Sequence, residues 1–525
     1  MVSTYRYPVR ETPQSQPIPG TNQVPNNAGG FAFQIDDWKR LERFLILGTE
    51  GGTFYVKEQA ITLANAECVR RCIAADGTRT VATIVEISSS GRAAKNDPAI
   101  FALAMCLSFG DNETKALARG ALPQVCRIGT HLFHFAQFVE QMRGWGRALK
   151  SAVAQWYDNQ TENALAYDIV KYQQRDGWSH KDLIILSHPH QHPTIYDAVV
   201  HDNLHVDAPF IMHEVKALQS FGEGEAKEAA KYLLDAATNI PRECVPTRLL
   251  NSPAVWEALL LRGMPMEAMV RNLGNMSKVG LLTSFSDAAK IVAGKLADEE
   301  LILRARMHPL KLLVALKTYA QGQGIRGRGA WAVVPQVVDA LNNAFYTAFG
   351  AVTPTNKNTM LALDVSGSME WGGLLNMPIT PREGTAAMAL VTANVEPNYM
   401  ITAFSTRMVP INISAGQRLD NVLRTIGAIP MGGTDCALPM VYALENRLDV
   451  DTFVVYTDNE TWAGRIHPVQ ALRQYNEQRG RNAKLVVVGM TATEFSIAEQ
   501  GNPNMLDVVG FDTNTPEAIS EFVRM

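Results

Sequence analysis

The chain has 525 residues, a formal charge of −4, and ordinary proportions of hydrophobic (46%), charged (19%) and aromatic (8%) residues. A single core rarely grows past roughly 250–300 residues, so two or more domains are expected. A near-neutral charge excludes a bulk polycation and leaves a local patch as the route to nucleic acid. No apolar run approaches the ~18 residues of a membrane span, and no charged-then-apolar signal segment opens the chain. The six cysteines form no CxxC pair, which predicts reduced thiols in a cytoplasmic protein.

Residues 1–30 hold many Pro, Gln and Asn and read as a tail or a strap laid over another part. From about Asp36 to Phe349 the pattern is helical. Across His131–Tyr157, Leu132, Phe135, Val139, Met142, Leu149, Val153 and Trp156 recur at three- and four-residue steps or small multiples of them. Amphipathic stretches recur at 97–108, 161–175, 225–238, 251–261, 285–296, 309–320 and 335–349. Helix pairs on this scale suggest stacked helical hairpins of the HEAT or TPR kind, although no fixed repeat period appears. A polar linker, Val352–Asn358 (VTPTNKN), closes the helical part. Charge shifts there, from 37 basic against 34 acidic residues before Asn358 to 11 against 18 from it onward. Beyond it, short apolar runs (Thr359–Leu363, Tyr399–Phe404, Thr452–Tyr456, Lys484–Val488, Leu506–Val509) alternate with helical stretches at 383–394, 417–426, 436–447, 466–479 and 515–525. That alternation predicts a doubly wound α/β domain with a mainly parallel sheet, its ligand lying beyond the carboxyl ends of the strands.

The residues leaving the first of these strands are Asp364–Met369, DVSGSM. A carboxylate and two hydroxyls at alternate positions of a Gly-containing loop can converge on one hard cation, and Mg²⁺ needs few protein ligands because it keeps several waters. Two further loops end at the same edge: Gly432-Gly433-Thr434-Asp435, and Thr457-Asp458-Asn459-Glu460 after the strand TFVVY. Ser, Asp and Thr at such positions can also be plain helix caps and turn residues, but three separated loops agree here. The pattern resembles the von Willebrand factor A domain and its metal-ion-dependent adhesion site. By that resemblance Asp364, Ser366, Ser368, Thr434 and Asp458 match the metal residues one by one. The resemblance implies one divalent ion, Mg²⁺, recruiting an acidic group of a partner protein rather than driving hydrolysis.

The helical part carries Gln16–Pro19 (QPIP), Asn27–Gly30 (NAGG), Phe44–Gly52 (FLILGTEGG), Trp145–Lys150 (WGRALK), Lys171–His188 (KYQQRDGWSHKDLIILSH), Arg271–Met276 (RNLGNM) and His308–Arg328, with HPLKLLVALKTY and GIRGRG. These stretches resemble the TROVE domain of the Ro autoantigen family, and a TROVE domain followed by an A domain is that family's architecture. The resemblance places a strap at 1–30, a TROVE domain at 31–355 and the A domain at 356–525, in a bacterial branch of the family. It implies an α-helical HEAT-like repeat ring closed by the doubly wound α/β domain. Y RNA would bind outside, and single-stranded ends of misfolded or structured noncoding RNA would enter the hole. The implied roles are small-RNA stabilisation, RNA quality control and exoribonuclease-assisted processing; in bacterial relatives polynucleotide phosphorylase is tethered through Y RNA.

Residue chemistry permits RNA binding without demanding it. Between Leu301 and Ala330 stand six basic residues and no acidic one, with Arg326 and Arg328 on a flexible Gly-rich piece suited to clamping phosphate. Lys171 and Arg175 are four apart and are expected to share a helix face, with Tyr172 and Trp178 available for stacking. Most such pairs are only solvated surface. By resemblance Lys171, Arg175 and His188 match the family's outer RNA-binding surface, and Arg147 and Lys150 are candidate ring-lining cations. Six of the eleven histidines fall between His180 and His205. Yet His188-Pro-His190-Gln-His192 departs from the HxHxDH of metallo-β-lactamase nucleases at His192 and Pro193. No P-loop and no GxSxG elbow occurs. The reading is a non-catalytic RNA-binding protein. The alternatives are an adhesion or scaffold protein using its metal site, and a metal-dependent RNA-cleaving enzyme.

Overall fold

The computed structural model describes residues 11–47, 66–90, 96–305, 307–324, 329–370, 378–490, 495–509 and 515–524. The chain forms two compact units, neither of them one continuous stretch: residues 1–60, 302–317 and 344–525 make one, and residues 61–301 and 318–343 the other. Eleven strands are present among the described residues: β1 (Gln23–Pro25), β2 (Phe31–Gln34), β3 (Gln174–Arg175), β4 (Trp178–Ser179), β5 (Thr359–Asp364), β6 (Tyr399–Phe404), β7 (Met408–Ile411), β8 (Thr452–Thr457), β9 (Lys484–Gly489), β10 (Phe495–Ser496) and β11 (Met505–Val509). No described helix is long and apolar enough to cross a membrane.

In the helical unit, helices pack on their next-but-one successors. Gly77–Ser90 lies on Asn112–Val125, Asp97–Phe109 on Gly129–Met142, Asn112–Val125 on Arg147–Asp158, and Arg147–Asp158 on His180–Ser187. This is the pairing of stacked helical hairpins, each burying an apolar face that it could not bury alone. Asp97–Phe109 is buried from Pro98 to Leu107. By contrast, Arg147–Asp158 buries a stripe (Leu149, Val153, Trp156, Tyr157) and leaves its other face to solvent. One predicted helix is shorter than its periodicity suggests. The 161–175 stretch is helical only over Glu162–Lys171; Tyr172 leaves the helical region at φ −114° and ψ 74°. A hairpin follows, with Gln174 opposite Ser179 and Arg175 opposite Trp178. Its two central residues, Asp176 and Gly177, have φ of 52° and 80°. Positive φ at both positions is the type I′ turn, which Asp-Gly favours and which matches strand twist. Lys171 and Arg175 therefore do not share a helix face.

The α/β unit is built on a six-stranded sheet in the order β11-β9-β8-β5-β6-β7. All pairs are parallel except β6–β7. Every residue of β5 and β8 is buried, as a parallel sheet covered on both faces requires. The alternation of strands and helices predicts this core but misses β7, which carries Pro410; an edge strand tolerates that proline because one side of it has no ladder to feed. From β5 the chain passes to β6 on one side and returns to β8 on the other. The carboxyl ends of β5 and β8 thus flank a topological switch point, with Asp364 ending one strand and Thr457 the other.

The N-terminal segment belongs to this unit. Ile18 and Phe33 share a core with Met360, Phe404, Cys436, Val455 and Tyr475, and β2 pairs with β1 and with β10. Burying an isoleucine such as Ile18 contributes about 1.5–3 kcal/mol. Arg43, on the helix Asp37–Leu47, makes a buried ion pair with Asp507 at 2.9 Å.

Candidate metal centre and basic face

At the switch point the strand ends bring two carboxylates together. Asp364 and Asp458 are 3% and 1% exposed, and Ser366 and Thr434 are buried as well. Asp364 Oδ1 accepts the Ser366 N–H at 2.8 Å, and Oδ2 accepts the Thr457 hydroxyl at 2.8 Å. Asp458 Oδ1 accepts the Glu460 N–H at 3.0 Å. Asn459 between them takes the left-handed conformation (φ 66°), which asparagine tolerates better than most residues. The Thr434 loop is tied to the Asp458 loop through the Thr434 carbonyl, which accepts the N–H groups of Trp462 and Ala463 at 3.0 and 3.1 Å. Gly433 has no room for a side chain: a Cβ there would lie 2.5 Å from the Trp462 ring.

Burial, together with the charge of Asp458, pushes the Asp364 carboxyl up to about 7, against the hydrogen bonds from Ser366 and Thr457. Two buried carboxylates that resist joint ionisation are a donor set that a hard dication relieves, its charge replacing the proton. Among the described residues no three His, Cys, Asp or Glu side chains converge. Hydroxyls and water would have to complete a shell built on Asp364 and Asp458, which is the Mg²⁺ pattern rather than the zinc one. The side chain of Ser368 lies outside the described set. Thr457 is the site residue that sequence reasoning missed; its position, one residue before Asp458 at the strand end, was the available signal.

The basic residues of the helical unit are displayed differently. Lys171 ends its helix with its ammonium 5.2 and 5.1 Å from the ring centres of Tyr167 and Tyr172. Burial works against its charge, but the hydroxyls of the two tyrosines raise its ammonium above the ordinary value. Arg175 stands on the hairpin with its side chain 61% exposed, 3.8 Å from Asp176. His188 is the exposed, left-handed C-cap of His180–Ser187 (φ 53°). The three are presented separately, with no hydrogen bond or ion pair among them in the described set. Arg147 is exposed at the start of its helix and Lys150 is half-buried one turn later. Arg326 and Arg328 lie outside the described residues.

The hairpin has its own supports. His134 Nδ1 hydrogen-bonds the Asp176 carboxylate, and its Nε2 faces Asp97 at 3.6 Å. Trp178 packs against Trp145 with ring centres 5.6 Å apart, which ties the hairpin to the chain entering the Arg147 helix. The histidine-rich run has separate partners instead of one centre. His180 is buried against the Tyr157 hydroxyl at 3.0 Å and burial pushes it down to about 3. His192 Nε2 meets the Gln160 carbonyl at 2.9 Å, and His201 and His205 both bind Asp197 at 2.7 Å.

Comparison with known proteins gives these two sites a setting. The TROVE domain family matches residues 24–239 and 236–318, and the Ro60 vWA domain family matches residues 358–523. The chain is 42% identical over 512 residues to a Deinococcus radiodurans protein named RNA-binding protein RO60, covering 96% of this chain and 95% of that one. A Caenorhabditis elegans protein of the same name is 33% identical over 583 residues, covering 95% of this chain and 90% of the other. Among solved structures, the D. radiodurans RO (RSR) protein is similar with a TM-score of 0.76 and 40% identity, covering 93% of this chain and 99% of that one.

Proposed function

The chain belongs to the Ro60 family, with a TROVE domain followed by a Ro60 vWA domain, and from that premise we propose that it is a non-catalytic RNA-binding protein. Its ligands are Y RNA and other small or misfolded noncoding RNA. The region of half-buried Lys171 and exposed Arg175 and His188 takes the structured RNA, and single-stranded ends enter a ring lined in part by Arg147 and Lys150. The work of such a protein is small-RNA stabilisation and quality control in the cytoplasm, with polynucleotide phosphorylase as a partner reached through Y RNA. The observation that carries this reading is similarity along nearly the whole chain to proteins named for RNA binding. The exposed guanidinium of Arg175 on the hairpin supports it, because guanidinium groups hold phosphate by paired hydrogen bonds.

The α/β unit holds one Mg²⁺ on Asp364, Ser366, Ser368, Thr434 and Asp458, where the ion supplies a fixed positive charge for an acidic group of a partner protein. The test is to identify RNA that copurifies with the protein, then to measure its binding and its integrity in Mg²⁺. Salt-dependent binding with intact RNA is expected. Cleavage in Mg²⁺ that Asp364→Ala abolishes would replace this reading with the nuclease one, and the absence of any RNA affinity would leave the adhesion reading.

A further inference from the structure

Gln14 is 0% exposed, although it lies in a segment whose composition suggests a loose tail. Its side-chain amide is saturated. Nε2 donates to Asp435 Oδ1 at 2.7 Å and to the Ile466 carbonyl at 2.8 Å. Oε1 accepts the Thr461 hydroxyl and, at 3.3 Å, the Gly464 N–H. An amide offers two protons and two lone pairs, so no capacity remains. The backbone joins in, with Gln14 N–H donating to the Gly464 carbonyl at 2.9 Å. Gly464 is shaped around this insertion: a Cβ there would sit 2.3 Å from both Gln14 Nε2 and Asp435 Oδ1. Further along the same segment, Asn26 donates to the Thr461 carbonyl at 2.6 Å, and Asn27 and the Ala28 N–H bind the Glu460 carboxylate at 2.7 and 3.1 Å.

These anchors fall on two loops that meet at the metal centre. Asp435 directly follows Thr434, and Thr461 comes three residues after Asp458. The Thr461 hydroxyl also accepts the Cys436 N–H at 3.1 Å, so it touches the Thr434 loop and Gln14 at once. We propose that Gln14 is a positioning residue of the metal centre, an N-terminal staple that fixes the Thr434 loop against the Asp458 loop and so sets the spacing of their donors. The proposal rests on the metal reading above. Outer-shell partners of this kind orient ligands without touching the ion, and losing one costs about 10–100-fold in metal affinity. Removing the amide also takes one hydrogen bond from the half-buried Asp435 carboxylate and one from the buried Thr461 hydroxyl, leaving them Ala437 N–H and the Thr434-loop backbone, which favours a relaxed loop.

The test uses the full chain with Mn²⁺ alone as probe. Wild type, Gln14→Ala, Gln14→Glu and the exposed neighbour control Gln16→Ala are titrated by calorimetry. Amide hydrogen exchange is followed in the metal-free proteins. The Mn²⁺ dissociation constant is expected to rise about tenfold in both Gln14 variants, the lower end of the outer-shell range, and to stay at the wild-type value in Gln16→Ala. Gln14→Glu keeps the side chain's size but sets an oxygen against Asp435, so it separates lost bonding from lost volume. Exchange should quicken over residues 432–436 and 458–464 and stay unchanged in the helical unit. Unaltered Mn²⁺ affinity in the Gln14 variants overturns the proposal, and so does faster exchange throughout the chain, which would make Gln14 a general folding residue. If wild type takes up no Mn²⁺, the metal reading fails on its own account, and the exchange data alone decide whether Gln14 joins the two loops.

Discussion

Asp364 is held where its charge is unwelcome unless a cation shares the site. Burial and the neighbouring Asp458 raise its carboxyl from the ordinary 3.8 to about 7. Between these values the native state holds a proton that the unfolded chain has released. Metal-free stability therefore falls as pH rises through that window. Asp364→Asn removes the burden, so metal-free mutant should melt higher than wild type at pH 8, with the gap closing toward pH 4.5, while Mn²⁺ uptake is lost. Melting curves in a chelator across that range check it; equal melting temperatures at pH 8 would sink the assignment of the shift. For wild type the metal needs the carboxylate ionised, so Mn²⁺ affinity should climb with pH up to about 7 and then level off. Asp364, Ser366, Thr434 and Asp458 were legible in the sequence as candidates, because three of them stand at or just past a strand end and Thr434 lies in a Gly-rich loop. Gln14 was not, because its role depends on a partner 447 residues away, and Thr457, whose partner is 93 residues away, was signalled only by its place beside Asp458.

At the level of elements, the hairpin decides where Arg175 points. Helical periodicity runs through Lys171 and suggests that Arg175 follows on the same face, whereas the Asp-Gly pair turns the chain back. The turn signal was in the sequence; it was outweighed by a four-residue spacing that fits a helix equally well. His134 holds Asp176 beneath that turn, so its effect on RNA should pass through Arg175. If loss of the imidazole leaves the hairpin correctly placed about a fifth of the time, His134→Ala weakens binding of structured RNA about fivefold. In an Arg175→Ala background the same change should add nothing. A double-mutant cycle checks this; equal losses in both backgrounds would mean that His134 supports the fold in general and not this residue. The stacked helices and the parallel sheet were readable because burial imposes their periods on many residues at once. β7 and the β3–β4 hairpin span too few residues to impose one.

For the whole molecule, the proposed RNA contacts belong to the helical unit and the proposed metal centre to the α/β unit, with separate tasks. Asp364→Ala should abolish Mn²⁺ uptake and leave RNA affinity nearly intact, since Lys171, Arg175 and His188 all belong to the other compact unit. A parallel loss of RNA affinity in filter binding would instead mean that the two sites are coupled. The central claim is that the Lys171–Arg175 region takes structured RNA by its phosphates, and a filter-binding salt series with the Lys171→Ala/Arg175→Ala protein tests it most directly. Two lost phosphate contacts should lower the log–log salt slope by roughly 1.8 for a duplex-like ligand. Affinity at moderate salt should drop at least about tenfold, on ~1.5–3 kcal/mol for each hydrogen bond to a charged group, while short single-stranded RNA suffers less. A double mutant that keeps both its affinity and its salt slope for structured RNA would contradict the account and reduce this face to solvated surface.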